Sequence, residues 1–205
     1  MSALLEISSA NQTVTPAKAT TLVFIDAGVE DYQFLANGVV REAKAFILDS
    51  QRDGVKQISQ ILQDYPDVES IHLVSHGSPG SIQLGNTYLS LDTLDRYRSK
   101  LQSWLAKAKS LLIYGCNVAA EDAGEELIDK LHRLTGANIA ASTTKTGNSA
   151  LGGDWNLEIA TGNLKKADLV FNSQVTQEFP SVLAVNLPGF IQSTSSIAIV
   201  STRRR

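Results

Sequence analysis

IHLVSHGSPG, at residues 71–80, is the stretch that decides the fold. Its apolar run ends at His76 and Gly77, and Pro79 followed by Gly80 prevents the run from continuing in regular structure. A short apolar run closed by such residues is typical of a buried β-strand. A histidine directly after such a strand is either a catalytic base or a polar strand end, and the neighbouring segments must decide between the two.

Similar apolar runs recur along the chain and alternate with helical patterns. The predicted strands occupy residues 21–25, 43–50, 70–77, 110–115 and 137–143. The predicted helices occupy about 55–64, 91–106 and 121–134, with a hairpin at 81–90 and further strands at 154–162 and within 163–182. Apolar strands that alternate with amphipathic helices predict an α/β fold with a mainly parallel central sheet and helices on both faces.

The composition fits a single domain with additional segments at both ends. With 205 residues, of which 43% are hydrophobic, the chain is long enough for one full core. We expect a flexible lead-in at 1–20, the folded domain at 21–182, and a linker or the cut end of a longer chain at 183–205. The net charge of -3 argues against nucleic-acid binding, because a binder of nucleic acid normally presents a basic surface.

Cysteine content and known motifs exclude several kinds of site. The only cysteine, Cys116, cannot form an internal disulfide or a cysteine-rich zinc site. Phosphate-binding, dinucleotide-binding and serine-hydrolase motifs are missing, so we expect no cofactor and no metal. No run approaches the roughly 18 apolar residues of a membrane span, and the N-terminus lacks the pattern of a secretory signal.

The ends of the third and fourth predicted strands carry the candidate catalytic residues. His76 follows one strand and Cys116 follows the other, and successive strands of such sheets are usually neighbours, which places the two side chains roughly 5–10 Å apart. A cysteine attacks as the thiolate and needs a base, which His76 can supply. The backbone N–H groups of Gly77 and Cys116 can hold an oxyanion. Asp26, Ser75 and Asn117 lie at the same sheet edge as candidate substrate-binding residues.

Each of these residues also has a structural interpretation. A lone cysteine is usually a small buried hydrophobic residue, and a lone histidine often only ends a strand. Asp26 can cap the loop that follows its strand instead of contacting a substrate. If Cys116 is catalytic, we expect it to lie in a loop at the sheet edge with few packed neighbours.

The arrangement as a whole resembles a known group of enzymes. A strand followed by SHG, a hairpin, a helix, a strand followed by GC and a further helix resemble the caspase-like cysteine peptidases, which include caspases, metacaspases, clostripain, gingipains and the CHAT proteases. Over residues 21–162 the chain looks most similar to an uncharacterised domain near the N-terminus of very large bacterial surface or secreted repeat proteins. The resemblance implies a three-layer sandwich with His76 as the base, Gly77 in the oxyanion site and Cys116 as the nucleophile.

The resemblance also implies a function and a location. We predict a cysteine endopeptidase (a thiol protease) that processes itself or a large bacterial surface protein, is secreted or displayed at the cell surface, and takes a peptide or protein as its substrate. Relatives that cleave after basic residues use an acidic group in the substrate pocket, which is the role considered for Asp26. The alternative is a non-catalytic display or adhesion module. An accessible thiol of low pKa favours the enzyme, and a thiol buried in apolar packing favours the module.

Overall fold

The computed structural model of the chain describes residues 19–162, 164 and 169–185. The predicted lead-in and most of the predicted tail, including the terminal arginines, lie outside these residues. The strands are β1 (Thr21–Asp26), β2 (Ala43–Leu48), β3 (Ser70–Val74), β4 (Gly77–Ser78), β5 (Ser81–Leu84), β6 (Thr87–Ser90), β7 (Ser110–Tyr114), β8 (Asn138–Ala141), β9 (Lys145–Thr146), β10 (Gly153–Asp154) and β11 (Ile159–Ala160). The α-helices are α1 (Tyr32–Asn37), α2 (Gly54–Ile61), α3 (Leu94–Leu105), α4 (Glu121–Thr135) and α5 (Ser173–Glu178). Two short 3₁₀ helices cover Leu62–Asp64 and Ser149–Leu151.

Six strands form the central sheet in the order β11-β8-β7-β3-β1-β2. All neighbours pair in parallel except β11, which runs antiparallel at the edge. The predicted α/β class with a mainly parallel sheet is therefore confirmed. The two strands that precede the candidate catalytic residues, β3 and β7, are direct neighbours, with Val74 opposite Tyr114 at their ends.

Alternate residues of each strand enter two separate apolar clusters, because successive side chains of a strand point to opposite faces of the sheet. Leu22 and Phe24 belong to the first cluster, which includes the buried side chains of α2, α3, α4 and the β5–β6 hairpin. Val23 and Ile25 belong to the second cluster. The second cluster consists of Val23, Ile25, Val29, Leu35, Val74, Leu112, Tyr114, Cys116, Ala140, Val170, Phe171, Val175, Phe179 and Leu183. The fold is thus a three-layer α/β sandwich, with α1 and α5 in the second outer layer.

The predicted β5–β6 hairpin around Gly85 is confirmed, but the helix after it begins later than expected. The Thr93 hydroxyl donates to the Tyr88 carbonyl at 2.7 Å and accepts the Ser90 N–H at 3.0 Å. These bonds hold the residues before Leu94 in a turn, so α3 starts at Leu94 instead of residue 91. Competition of this kind between a hydroxyl side chain and the helical hydrogen bonds is common at helix starts.

The region after residue 162 differs most from the prediction. Of the range 163–182, in which an edge strand is expected, residues 163 and 165–168 lie outside the described residues, and residues 173–178 form α5. The cap of α5 is Asn172, whose side chain accepts the Val175 N–H at 3.0 Å. The predicted strand at 154–162 is reduced to the short pieces β10 and β11. Leu183 is fully buried, so ordered structure continues past the expected domain end at residue 182.

His72 in β3 is a buried histidine with a structural role. It is 3% exposed, its Nε2 is 3.0 Å from the Ser70 hydroxyl, and its ring stacks on Tyr114 with 5.9 Å between the ring centroids. Burial lowers the pKa of His72 from 6.5 to about 4. The folded protein therefore holds this ring in its neutral form over the mildly acidic range.

We expect His72 to make the protein less stable as the pH falls from 6.5 towards 4. The unfolded chain takes up a proton at His72 below about pH 6.5, whereas the folded chain resists protonation until about pH 4, so acidification favours unfolding. The loss of free energy of unfolding is about 3 kcal/mol over this range. Urea titrations of the parent and of His72→Gln at several pH values measure it, and an equally steep acid dependence in both proteins would contradict the prediction.

Candidate active site

The backbones after β3 and β7 pass each other in close contact at the edge of the sheet. The Ser75 N–H donates to the Tyr114 carbonyl at 3.0 Å, which continues the pairing of the two strands. A Cβ atom on Gly77 would lie 2.9 Å from both the Gly115 carbonyl carbon and the Cys116 carbonyl oxygen. Gly77 is therefore required here for close backbone approach. The backbone segments that carry His76 and Cys116 therefore lie side by side at one edge of the sheet, as the neighbouring strands predict.

The His76 ring is held by a backbone carbonyl that the sequence did not reveal. The ring is 8% exposed, and its Nε2 lies 3.2 Å from the Gly28 carbonyl oxygen. A carbonyl can only accept, so Nε2 carries the proton and Nδ1 is left with its lone pair. Nδ1 is buried and makes no hydrogen bond within the described part of the chain. This is the tautomer in which Nδ1 can accept a proton.

Asp26 supports the loop that carries Gly28. Its carboxylate is 1% exposed; Oδ1 accepts the Gly28 N–H at 2.7 Å and Oδ2 accepts the Gly85 N–H. Both oxygens thus accept backbone N–H groups. This favours a loop-capping role for Asp26 and argues against a direct contact with substrate. Through the Gly28 loop the carboxylate also positions the His76 ring.

Cys116 lies in the turn after β7, as expected, but it is fully buried, so the expectation of few packed neighbours is wrong. Its side chain belongs to the second apolar cluster, and its sulfur accepts the Thr146 N–H at 3.3 Å. Burial raises the pKa of the Cys116 thiol, and the Thr146 N–H together with the charge of Lys145 offsets part of this effect. No hydrogen bond joins the sulfur to the His76 ring in the described residues.

The other two candidate substrate-binding residues lie in the turns beside the dyad. Asn117 has a φ of +60° and donates its N–H to the Thr144 carbonyl at 2.8 Å, so it forms the sharp turn after Cys116. Ser75 is fully buried, and its hydroxyl makes no hydrogen bond to any residue that the structure describes. Their predicted contacts with substrate stay predictions.

A carbonyl of the protein's own chain occupies the predicted oxyanion site. The Gly77 N–H and the Cys116 N–H both donate to the Leu183 carbonyl oxygen, at 3.0 and 3.1 Å. Sequence reasoning missed Leu183 because residues 183–205 show no periodicity and were assigned to a tail. A signal was present in the apolar run SVLAV at 181–185, which follows a helix-ending proline.

The segment around Leu183 is held along its length as an added strand. The Leu183 N–H donates to the Thr146 carbonyl at 2.9 Å, and Asn148 donates its N–H to the Ser181 carbonyl at 2.8 Å. Between them Gly147 pairs with Val182 in antiparallel register. A Cβ on Gly147 would lie 2.5 Å from the Ser181 carbonyl oxygen, so the glycine allows the segment to approach.

The segment at 181–184, here called the covering segment, takes part in the apolar packing around Cys116. The Leu183 side chain is fully buried in the second cluster, to which Cys116 also belongs. Surface cavities of about 290 and 480 Å³ lie elsewhere, between α2 and α3 and beside the start of α2, and neither is lined by His76 or Cys116. Cys116 is therefore enclosed by the protein's own chain.

Within the described ranges, no three His, Cys, Asp or Glu side chains cluster as they would around a metal ion. No helix in that part of the chain is long and apolar enough to cross a membrane.

Comparison with known protein families gives a match over most of the chain. A family model described as a domain of unknown function (DUF4347) matches residues 22–183. A comparison with curated proteins finds no match. The matched range begins in β1 and ends at Leu183, so it includes His76, Gly77 and Cys116, as well as Leu183, whose carbonyl accepts the Gly77 and Cys116 N–H groups.

Proposed function

Since the chain belongs to the family described as a domain of unknown function (DUF4347), we propose from the site itself that it is a cysteine endopeptidase with Cys116 as nucleophile and His76 as base. The observation that carries the proposal is the convergence of the Gly77 and Cys116 N–H groups on one peptide carbonyl oxygen. Two preorganised backbone donors aimed at a single carbonyl oxygen are what stabilises the oxyanion of acyl transfer.

The surroundings of His76 support its role as the base. The Gly28 carbonyl fixes the proton on Nε2, and Nδ1 is thereby free to take the proton of a thiol. A nucleophile, a base and a group that orients the base form the usual set for covalent catalysis. Although the ring and the sulfur make no hydrogen bond here, catalytic hydrogen bonds often tighten only in the reacting complex.

Thr146 supports the role of Cys116 as the nucleophile. Its N–H points at the sulfur from 3.3 Å and stabilises the thiolate more than the neutral thiol, because the charged form accepts the stronger hydrogen bond. This contact opposes the effect of burial on the pKa of Cys116. Removal of the covering segment exposes the sulfur to water and lowers the free-energy cost of ionising the Cys116 thiol. The thiol therefore becomes reactive when this segment leaves.

The alternative of a non-catalytic display or adhesion module has one observation in its favour. The Cys116 thiol is fully buried in apolar packing, and burial raises its pKa, which is the state expected of a structural cysteine. The same burial is expected of a nucleophile whose site is filled by a peptide segment. Reactivity of the thiol towards substrate-like reagents separates the two functions.

We expect Cys116 to react covalently with peptidyl electrophiles. The reagents are three acyloxymethyl ketones with Leu, Arg or Asp before the reactive carbon, together with matched fluorogenic peptides. They are incubated with the parent and with Gly147→Ala, in which the new Cβ disturbs the covering segment. Intact and peptide mass spectrometry locate the adduct. We expect an adduct on Cys116 and hydrolysis of a matching peptide, both missing in Cys116→Ala, with the Arg reagent testing the basic preference considered for Asp26.

Two results would remove the peptidase proposal. One is the absence of a Cys116 adduct from every reagent in both the parent and Gly147→Ala, with folding verified by circular dichroism. The other is peptide hydrolysis that persists in Cys116→Ala. Gly152→Ala is the matched control for Gly147→Ala, because Gly152 also has a positive φ, +79°, but a Cβ there meets nothing within 4 Å.

A further inference from the structure

We propose that the peptide bond between Leu183 and Ala184 is the substrate of this site, and that the protein cleaves its own chain there. The proposal rests on the peptidase function proposed above. Four hydrogen bonds hold this part of the chain. The Leu183 carbonyl oxygen accepts two N–H groups, the Leu183 N–H donates to the Thr146 carbonyl, and the Asn148 N–H donates to the Ser181 carbonyl. An ordinary tail would not satisfy donors that belong to an oxyanion site.

The position of the carbonyl relative to Cys116 favours attack on Leu183. Cys116 donates its backbone N–H to the Leu183 oxygen at 3.1 Å. Its sulfur contacts the Thr146 N–H, and Thr146 in turn accepts the Leu183 N–H at 2.9 Å. Cys116 and Thr146 thus hold the Leu183 carbonyl oxygen and the Leu183 N–H, respectively, through their own backbone groups. Beyond the bond, Ala184 pairs with Gly77, the residue after the base.

The pocket that holds the Leu183 side chain defines the substrate class. Leu183 is fully buried in the second cluster, among aromatic and aliphatic side chains such as Tyr114 and Phe179. Asp26, the acidic residue considered for specificity, has both oxygens bonded to backbone N–H groups. The site therefore selects an apolar side chain before the scissile bond, and a basic side chain would lose its hydration without gaining a free partner.

The chemical step is balanced by groups already in the site. The Cys116 thiolate forms a bond to the Leu183 carbonyl carbon, and the carbonyl electron pair moves to the oxygen held by the two N–H groups. The bond from this carbon to the Ala184 nitrogen then breaks, and the nitrogen takes the proton that His76 accepted from the thiol. Water adds its hydroxyl to the thioester and returns its proton to the sulfur through His76, which leaves a carboxyl group on Leu183.

The test is an intact-mass time course of the purified parent chain at neutral pH with a reducing agent. We expect two fragments, one ending at Leu183 and one beginning at Ala184, formed at a first-order rate that is independent of protein concentration. Cys116→Ala should stay intact. Leu183→Met, which keeps the volume and polarity, should be cleaved within about tenfold of the parent rate, and Leu183→Asp should be cleaved at least 100-fold more slowly, because the pocket is apolar.

A second pair of variants tests the docking of the segment separately from the pocket. Gly147→Ala places a Cβ 2.5 Å from the Ser181 carbonyl oxygen and should slow cleavage at least tenfold, whereas Gly152→Ala should cleave as the parent does. Circular dichroism establishes that each variant is folded.

The outcomes separate this proposal from the peptidase function. If Cys116 is captured by peptidyl electrophiles or peptides are hydrolysed while the bond between Leu183 and Ala184 stays intact, the segment is an uncleaved plug, and self-cleavage is refuted while the enzyme stands. Cleavage in Cys116→Ala, at another bond, or at a rate proportional to protein concentration also overturns the proposal. Absence of both capture and cleavage removes the enzyme and the inference together.

Discussion

Replacing His76 with alanine is expected to lower kcat/KM for peptide hydrolysis by about 10²–10⁴, the range that a positioned general base contributes. His76 is the proposed base, and its Nε2 proton is fixed by the Gly28 carbonyl. Without it the thiol, whose pKa is raised by burial, loses the group that accepts its proton. The measurement is hydrolysis of the best fluorogenic peptide, with the melting temperature recorded in parallel.

Chemical rescue distinguishes a base from a structural residue. Added imidazole should restore part of the rate in His76→Ala, because a free base can enter the space left by the ring, and it should leave the parent unchanged. His132→Ala is the control, since His132 lies on α4 and contacts the Ala137 carbonyl, away from the dyad. A His76→Ala protein within threefold of the parent, or one that imidazole does not rescue, speaks against the base assignment.

The second large effect is expected from Gly77→Ala, which should impair both the oxyanion site and the fold. The new Cβ would lie 2.5 Å from a Val118 methyl and 2.9 Å from the backbone of Gly115 and Cys116. Since backbone cannot move aside as a flexible side chain can, the N–H of residue 77 must shift from its place. Loss of one such donor lowers kcat by about 10²–10³, and the overpacking costs about 1–3 kcal/mol of stability.

The appropriate control for Gly77→Ala is an alanine at an open glycine. Gly136, at the end of α4, has a φ of +71° and meets nothing within 4 Å, so Gly136→Ala costs about 1 kcal/mol through its backbone conformation alone and should leave kcat unchanged. Urea titration of both variants measures the free energy of unfolding, and peptide hydrolysis measures kcat. Equal kcat in Gly77→Ala and the parent would show that the residue 77 N–H does not hold the oxyanion.

Much of the fold was predictable because its signals are local. Apolar runs closed by glycine, proline or aspartate mark the strands, and 3.6-residue periodicity marks α2, α3 and α4, all of which the structure contains. The short α1 and α5 were missed, since six residues hold less than two turns and give no clear period. Within the range 163–182, expected to add an edge strand, residues 173–178 instead form a helix because the Asn172 cap and the burial of Val175 favour it, while Phe171 and Val182 make strand-like bridges.

The sequence by itself determined the α/β class and the placement of His76 and Cys116 after two strands. These follow from the order of residue types along the chain and from the rule that parallel strands end at one edge of their sheet. Only the tertiary structure decided that Gly28 orients the ring, that Asp26 holds the Gly28 loop, and that the Leu183 carbonyl fills the oxyanion site. Such contacts join positions far apart in sequence, largely through backbone atoms that every residue type shares, so no pattern of side chains along the chain encodes them.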